Sequence, residues 1–201
     1  MSKVKICGLS RPKDIEAVNS VLPDYAGFVF AESRRHVDER MAATLRKALD
    51  SRIEAVGVFV NEDVEKISRL YKEGVIDIAQ LHGDEDAEYI ELLRESCGCR
   101  IIKTISVGDA HPDLPEGPDY LLFDTLSSER GGTGRTFDWH LLADIKGLPY
   151  FLAGGLSAAN VKEAVRLLSP YCVDVSGGVE TQGLKDAAKI EEFVGLVREA
   201  D

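Results

Sequence analysis

The sequence predicts a single-domain α/β protein, a closed (β/α)8 TIM barrel with its fifth helix reduced or absent. Three observations carry that expectation. Eight short β-rich runs alternate with seven helix-forming stretches and one loop, at intervals of roughly 25 residues. The runs are nearly continuous in apolar residues, as expected of parallel strands covered by helices. The chain has 201 residues, the lower end of the size range for such a barrel and enough for one substantial core. The competing architecture is an open doubly wound sheet, which needs a topological switch point and usually has fewer strands. No linker or low-complexity stretch divides the chain, so residues 1–201 are read as one domain.

Each unit follows from local chemistry. Strand 4–7 ends in Lys5-Ile6-Cys7 before Gly8, and Pro12 suits the first turn of a helix over 12–21. Strand 26–30 leads to a helix over 38–49, and strand 55–59 to one over 63–73; both helices begin with aspartate, favourable at a helix N-terminus. Strand 76–81 leads to a helix over 84–96. After strand 100–105 the pattern breaks: residues 107–118 hold three prolines and two glycines, which predicts a loop or single turn. Strand 120–124 precedes a helix over 138–145, strand 150–153 a helix over 158–168 with Ser157 as its N-cap, and strand 172–175 a helix over 186–198.

Composition narrows the function. The hydrophobic content of 44% and charged content of 29% are those of a globular protein. No apolar run reaches the ~20 residues needed to cross a bilayer, and the first residues enter a strand without a signal-peptide pattern. The expectation is a cytoplasmic protein without membrane partners. A net charge of −11, with Arg34-Arg35 the longest basic cluster, argues against nucleic-acid binding. The four cysteines match no zinc spacing; Cys97 and Cys99 are read as structural thiols and Cys172 as core.

The chemistry-bearing residues fall at strand ends. Side-chain alternation puts Lys5 on the same face as Cys7, and Asp174 on that of Ser176. The first and eighth strands are neighbours in a closed barrel, so Lys5 and Asp174 are expected to pair in the core and Lys5 to favour the Cys7 thiolate. The alternative is an outward Lys5 lying over a helix. A free thiol has a pKa near ~8.5, so a base at neutral pH needs a nearby cation. Asp124 ends the sixth strand, either as a cap for the next segment or as an acid whose pKa is raised by burial or a neighbouring anion. Gly154-Gly155 and Ser176-Gly177-Gly178 follow the last two strands, where barrels of this kind place a phosphate site of backbone N–H groups. Arg35 is either a solvated loop residue or a fork for a substrate carboxylate. Gln80 and His82 either line the pocket or make structural hydrogen bonds. Residues 131–134, Gly-Gly-Thr-Gly, read as a mobile loop over the site.

Taken in order, Lys5-Ile6-Cys7-Gly8, Gln80-Leu81-His82-Gly83, Phe123-Asp124-Thr125, the run from Gly131 to Trp139, Ala153-Gly154-Gly155-Leu156 and the run from Asp174 to Glu180 closely resemble the phosphoribosylanthranilate isomerase family. The resemblance covers nearly the whole chain. It implies an Amadori rearrangement of N-(5-phosphoribosyl)anthranilate in tryptophan biosynthesis, without metal or organic cofactor. It also implies Cys7 as general base, Asp124 as general acid, Arg35 on the anthranilate carboxylate and the last two glycine-rich loops on the phosphate. The implied partner is a small phosphorylated substrate, with the protein a monomer or homodimer. Two departures stand out: the family commonly has Ser-Ser-Gly at Ser176-Gly177-Gly178, and the stretch before Arg35 is one residue shorter than in many relatives, so Arg34 could take its role. Other sugar-phosphate barrels need a catalytic lysine or a two-aspartate pattern. A non-catalytic phosphate-binding barrel would not need both acid and base, and a thiol redox protein would need a resolving cysteine close in sequence.

Overall fold

The computed structural model describes residues 1–125, 137–143, 145 and 147–200; the Gly-Gly-Thr-Gly stretch at 131–134 lies outside them. Eight strands close into a barrel in sequential order: β1 (Lys3–Cys7), β2 (Tyr25–Val29), β3 (Glu54–Phe59), β4 (Ile78–Leu81), β5 (Arg100–Val107), β6 (Tyr120–Thr125), β7 (Tyr150–Leu152) and β8 (Cys172–Val175). All neighbours are parallel, and β8 closes on β1 with Lys5 opposite Asp174. Parallel strands need a covered crossover, which the intervening helices supply.

Among the described residues the α-helices are α1 (Pro12–Val21), α2 (Glu39–Ala48), α3 (Val64–Lys72), α4 (Ala87–Cys97), α5 (Val161–Leu168) and α6 (Ala187–Ala200). No helix joins β5 to β6, as the prolines predict. Two expectations fail. The helix foreseen over 138–145 is one 3-10 turn, Trp139–Leu142, with Asp138 accepting from the His140 N–H. Ser157 is not the N-cap of α5: that residue is Asn160, whose side chain turns back to accept from the Ser157 N–H and to donate to the Gly155 carbonyl. A small antiparallel hairpin, β9 (Glu180–Thr181) and β10 (Leu184–Lys185), follows β8 and was not foreseen.

The main core lies between the outer strand faces and the helices. α3 shows the logic: Val64, Ile67 and Leu70 are buried at helical spacing. Inside the barrel, Tyr25, Val56, Ile78, Ile102, Leu122, Phe151 and Cys172 form a second apolar cluster, one residue from each of β2 to β8. Each fully buried large apolar side chain contributes about 1.5–3 kcal/mol. Above this apolar plug the interior turns polar: Lys5, Gln80, Thr104 and Asp174 are all buried. That change of chemistry along the barrel axis places the site at the C-terminal end of the strands.

Candidate active site

A cavity of about 780 Å³ opens at this end, and every site residue named from the sequence lines it. Cys7 closes β1 and Asp124 sits near the end of β6, reached around the barrel through β8 and β7. Gly27, opposite Cys7 on β2, makes room for the thiol: a Cβ there would lie 2.7 Å from Sγ. Gly154 does the same beside Asp124, where a Cβ would come within 3.1 Å of Oδ1.

The electrostatics push both groups upward. Burial, reinforced by the Asp174 charge, raises the Asp124 carboxyl to about 6, while the Thr125 N–H, donating to Oδ1 at 2.8 Å, and Lys5 oppose it. Burial also raises the Cys7 thiol, outweighing the pull of Lys5 and Lys185 toward thiolate. Lys5 points inward with no exposure, so the outward alternative does not hold. Its Nζ donates to Asp174 Oδ2 at 2.9 Å and to Gln80 Oε1 at 2.8 Å. Burial alone would lower the Lys5 pKa, but Asp174 and Cys7 more than compensate, and it stands above the ordinary lysine value. Asp174 Oδ1 is buried with no hydrogen-bond partner among the described residues.

Gln80 and His82 combine the two roles left open. Both line the cavity, and Gln80 Nε2 donates to Thr104 Oγ1 at 3.2 Å and approaches His82 Nδ1 at 3.3 Å. His82 Nε2 lies 3.8 Å from Asp124 Oδ2.

Gly154 and Gly155 both take positive φ, 82° and 68°, where glycine is favoured, and so turn the backbone after β7 along the cavity wall. Gly177 and Gly178 open a 3-10 turn after β8; Gly178 packs so tightly on the Leu156 carbonyl that no side chain fits. Ser176 is occupied: its hydroxyl donates to the Cys7 carbonyl at 2.9 Å and accepts from Lys185 at 3.2 Å. What this loop offers the cavity is therefore mainly backbone N–H.

Arg35 lines the cavity but is engaged: its guanidinium donates to Glu180 from Nε at 2.7 Å and from Nη2 at 3.2 Å. Arg34 also lines the cavity and reaches Glu180, at 2.7 Å, but its side chain is 57% exposed against 15% for Arg35, so Arg35 is the more deeply set of the two. Lys185, almost fully buried, donates to Glu180 Oε1 at 2.8 Å and to the Ser176 carbonyl at 2.9 Å. Sequence reasoning assigned Glu180 and Lys185 no role. Glu180 ends the recognised run from Asp174 but carries no chemical signal of its own, and Lys185 lies beyond that run.

Comparison with known proteins agrees with this geometry. The family model described as N-(5'phosphoribosyl)anthranilate (PRA) isomerase matches residues 4–195. N-(5'-phosphoribosyl)anthranilate isomerase of Endomicrobium trichonymphae is 48% identical over 199 residues, covering 98% of this chain and 99% of that one. The crystal structure of the Thermotoga maritima phosphoribosyl anthranilate isomerase superposes with a TM-score of 0.87 at 33% identity, covering 99% of this chain and 100% of that one. A further solved structure, an isomerase in complex with reduced 1-(o-carboxyphenylamino)-1-deoxyribulose 5-phosphate, has a TM-score of 0.82 at 29% identity, covering 99% of this chain and 100% of that one. With the family model and these relatives aligned over nearly its whole length, the chain belongs to the N-(5'-phosphoribosyl)anthranilate isomerase family.

Proposed function

We propose that this chain converts N-(5'-phosphoribosyl)anthranilate to 1-(2-carboxyphenylamino)-1-deoxyribulose 5-phosphate by acid/base Amadori rearrangement, a step of tryptophan biosynthesis. The observation that carries the reading is one cavity, in a chain that the family model matches over residues 4–195, lined by a thiol, a carboxyl with a raised pKa and two glycine loops. The phosphate sits against the backbone N–H groups after β7 and β8, which hold an anion despite the net charge of −11. The anthranilate carboxylate faces the Arg35 guanidinium. Asp124 gives its proton to the furanose oxygen as the bond from that oxygen to C1 breaks, leaving a Schiff base. Cys7 then takes the C2 proton to form the enolamine, which tautomerises to the ketone. The lone Asp174 Oδ1 is an acceptor suited to a sugar hydroxyl. Residues 1–201 act as one domain, in the cytoplasm, on a small phosphorylated substrate, as a monomer or homodimer and without nucleic-acid or membrane partners.

The reaction needs Asp124 protonated and Cys7 ionised. Their pKa order in the ligand-free protein favours the reverse, so the working form is the minor tautomer of the singly protonated pair. The singly protonated population is greatest between the two pKa values. kcat/KM is therefore expected to rise with pH through about 6, hold, and fall above the ordinary thiol range. The assay is the loss of anthranilate-type fluorescence on adding the protein to freshly made substrate. Cys7→Ser and Asp124→Asn are expected to lower kcat by about 10²–10⁴ with smaller changes in KM. Near-normal turnover in either variant would remove that residue's role; no turnover in wild type would remove the reading.

A further inference from the structure

We infer that a hydrogen-bond sequence starting at Lys5 holds the His82 ring in its Nε2–H form, and that this N–H positions Asp124 and stabilises the charge left on its carboxylate once it has given up its proton. The inference deepens the isomerase reading and rests on Asp124 being the acid.

Donor and acceptor polarity fixes the direction of each bond in this sequence. The Lys5 ammonium has donors only. It donates to Asp174 Oδ2 at 2.9 Å and to the Gln80 side chain at 2.8 Å, so the Gln80 oxygen must face Lys5. The Gln80 NH₂ group must then face away from Lys5, and it too is donor-only. Its neighbours there are Thr104 Oγ1 at 3.2 Å and His82 Nδ1 at 3.3 Å. A proton on Nδ1 would set two N–H groups against each other, so Nδ1 presents its lone pair and the ring proton sits on Nε2.

Nε2 is the nitrogen facing Asp124, 3.8 Å from Oδ2. The other carboxyl oxygen, Oδ1, already accepts the Thr125 N–H at 2.8 Å. Oδ2 is therefore the oxygen across which a proton leaves, and the imidazole N–H stands beside it. A separation of 3.8 Å is longer than a hydrogen bond, and such contacts commonly tighten once substrate fills the site. The carboxylate formed by proton donation is flanked by Asp174, whose charge disfavours it, and by Lys5, whose charge favours it. A neutral N–H aimed at Oδ2 adds stabilisation that appears only as charge develops, which speeds the chemical step without tightening ground-state binding. His82 is thus a positioning residue: it does not supply the proton.

The test reads the tautomer directly. In the full chain labelled with ¹⁵N-histidine, the spectrum of neutral His82 is expected to show a proton on Nε2 and a bare Nδ1; His82→Gln assigns the signal among the four histidines. Gln80→Glu replaces the NH₂ donor with an acceptor, so the ring is expected to carry a proton on Nδ1. kcat should then fall about 10–100-fold, the worth of one hydrogen bond to a charged group, with KM within about twofold. His82→Gln, which keeps an N–H donor, should retain more turnover than His82→Ala. A wild-type ring protonated on Nδ1 overturns the inference, as does a Gln80→Glu variant that moves KM and not kcat. The wild-type spectrum needs no substituted protein to fold. An inactive wild type with the Nε2–H spectrum would defeat the isomerase reading, not the tautomer assignment.

Discussion

At Asp124 catalysis and stability pull in opposite directions. Its folded pKa, about 6, lies above the ordinary 3.8, so the fold binds the proton more tightly than the unfolded chain does. The contribution to stability is complete below 3.8 and is lost as pH rises through 6. A rise of that size corresponds to about 3 kcal/mol at neutral pH and above. Asp124→Asn keeps the shape and removes the charge. It is expected to lower kcat by the same about 10²–10⁴ while raising the urea unfolding free energy by about 2–3 kcal/mol at pH 8, with no gain at about pH 3.5. A variant equally stable to wild type at both pH values would show that burial does not strain this carboxyl.

The elements act on the site mainly by close approach. β2 brings Gly27 against Cys7, where a Cβ would meet Sγ at 2.7 Å and Cα at 3.0 Å. Neither strand can yield without breaking the parallel ladder that pairs Cys7 with Gly27. Gly27→Ala is expected to displace the thiol, lowering kcat about 10²-fold with little change in KM, because misplacement by about 1 Å costs that much. Steady-state kinetics together with Cys7 alkylation check it; unchanged kcat would mean that the thiol position is not critical. The β9–β10 hairpin works by the same logic of placement. It carries Glu180 and Lys185 to the rim, so the arginine after β2 and the glycine loop after β8 are fixed by one carboxylate.

Across the whole molecule, the barrel interior is apolar below and polar above, and the boundary is costly. Lys5 and Asp174 are both buried, and each needs the other. Lys5→Met leaves the Asp174 charge uncompensated and is expected to destabilise the protein by about 3–5 kcal/mol. Adding Asp174→Asn removes that charge and should restore much of the stability but not the turnover. Urea unfolding of the single and double variants measures this; a double variant no more stable than the single one would show that the pair is not the source of the loss. Since the same lysine orients Gln80, one buried ion pair both supports the upper barrel and sets hydrogen-bond direction in the site.

Much of this was legible in the chain. Strand number and order, the missing fifth helix and the positions of Cys7, Asp124 and the glycine loops follow from apolar runs, prolines and residues at strand ends, all encoded over a few neighbouring positions. The helix over 138–145 was misjudged because a four-residue 3-10 turn and a short helix share one apolar pattern at that length. Ser157 is not the cap because α5 begins only at Val161: the Ser157 hydroxyl accepts from the Ala159 N–H, in the turn that precedes the helix. Only tertiary structure could decide that Lys5 faces inward, that Arg35 is set more deeply than Arg34, that Glu180 and Lys185 brace Arg35 and Ser176, and which way Gln80 points. Those depend on partners as many as 169 residues apart, as in the Lys5–Asp174 contact, and on desolvation, which arises only when the barrel closes.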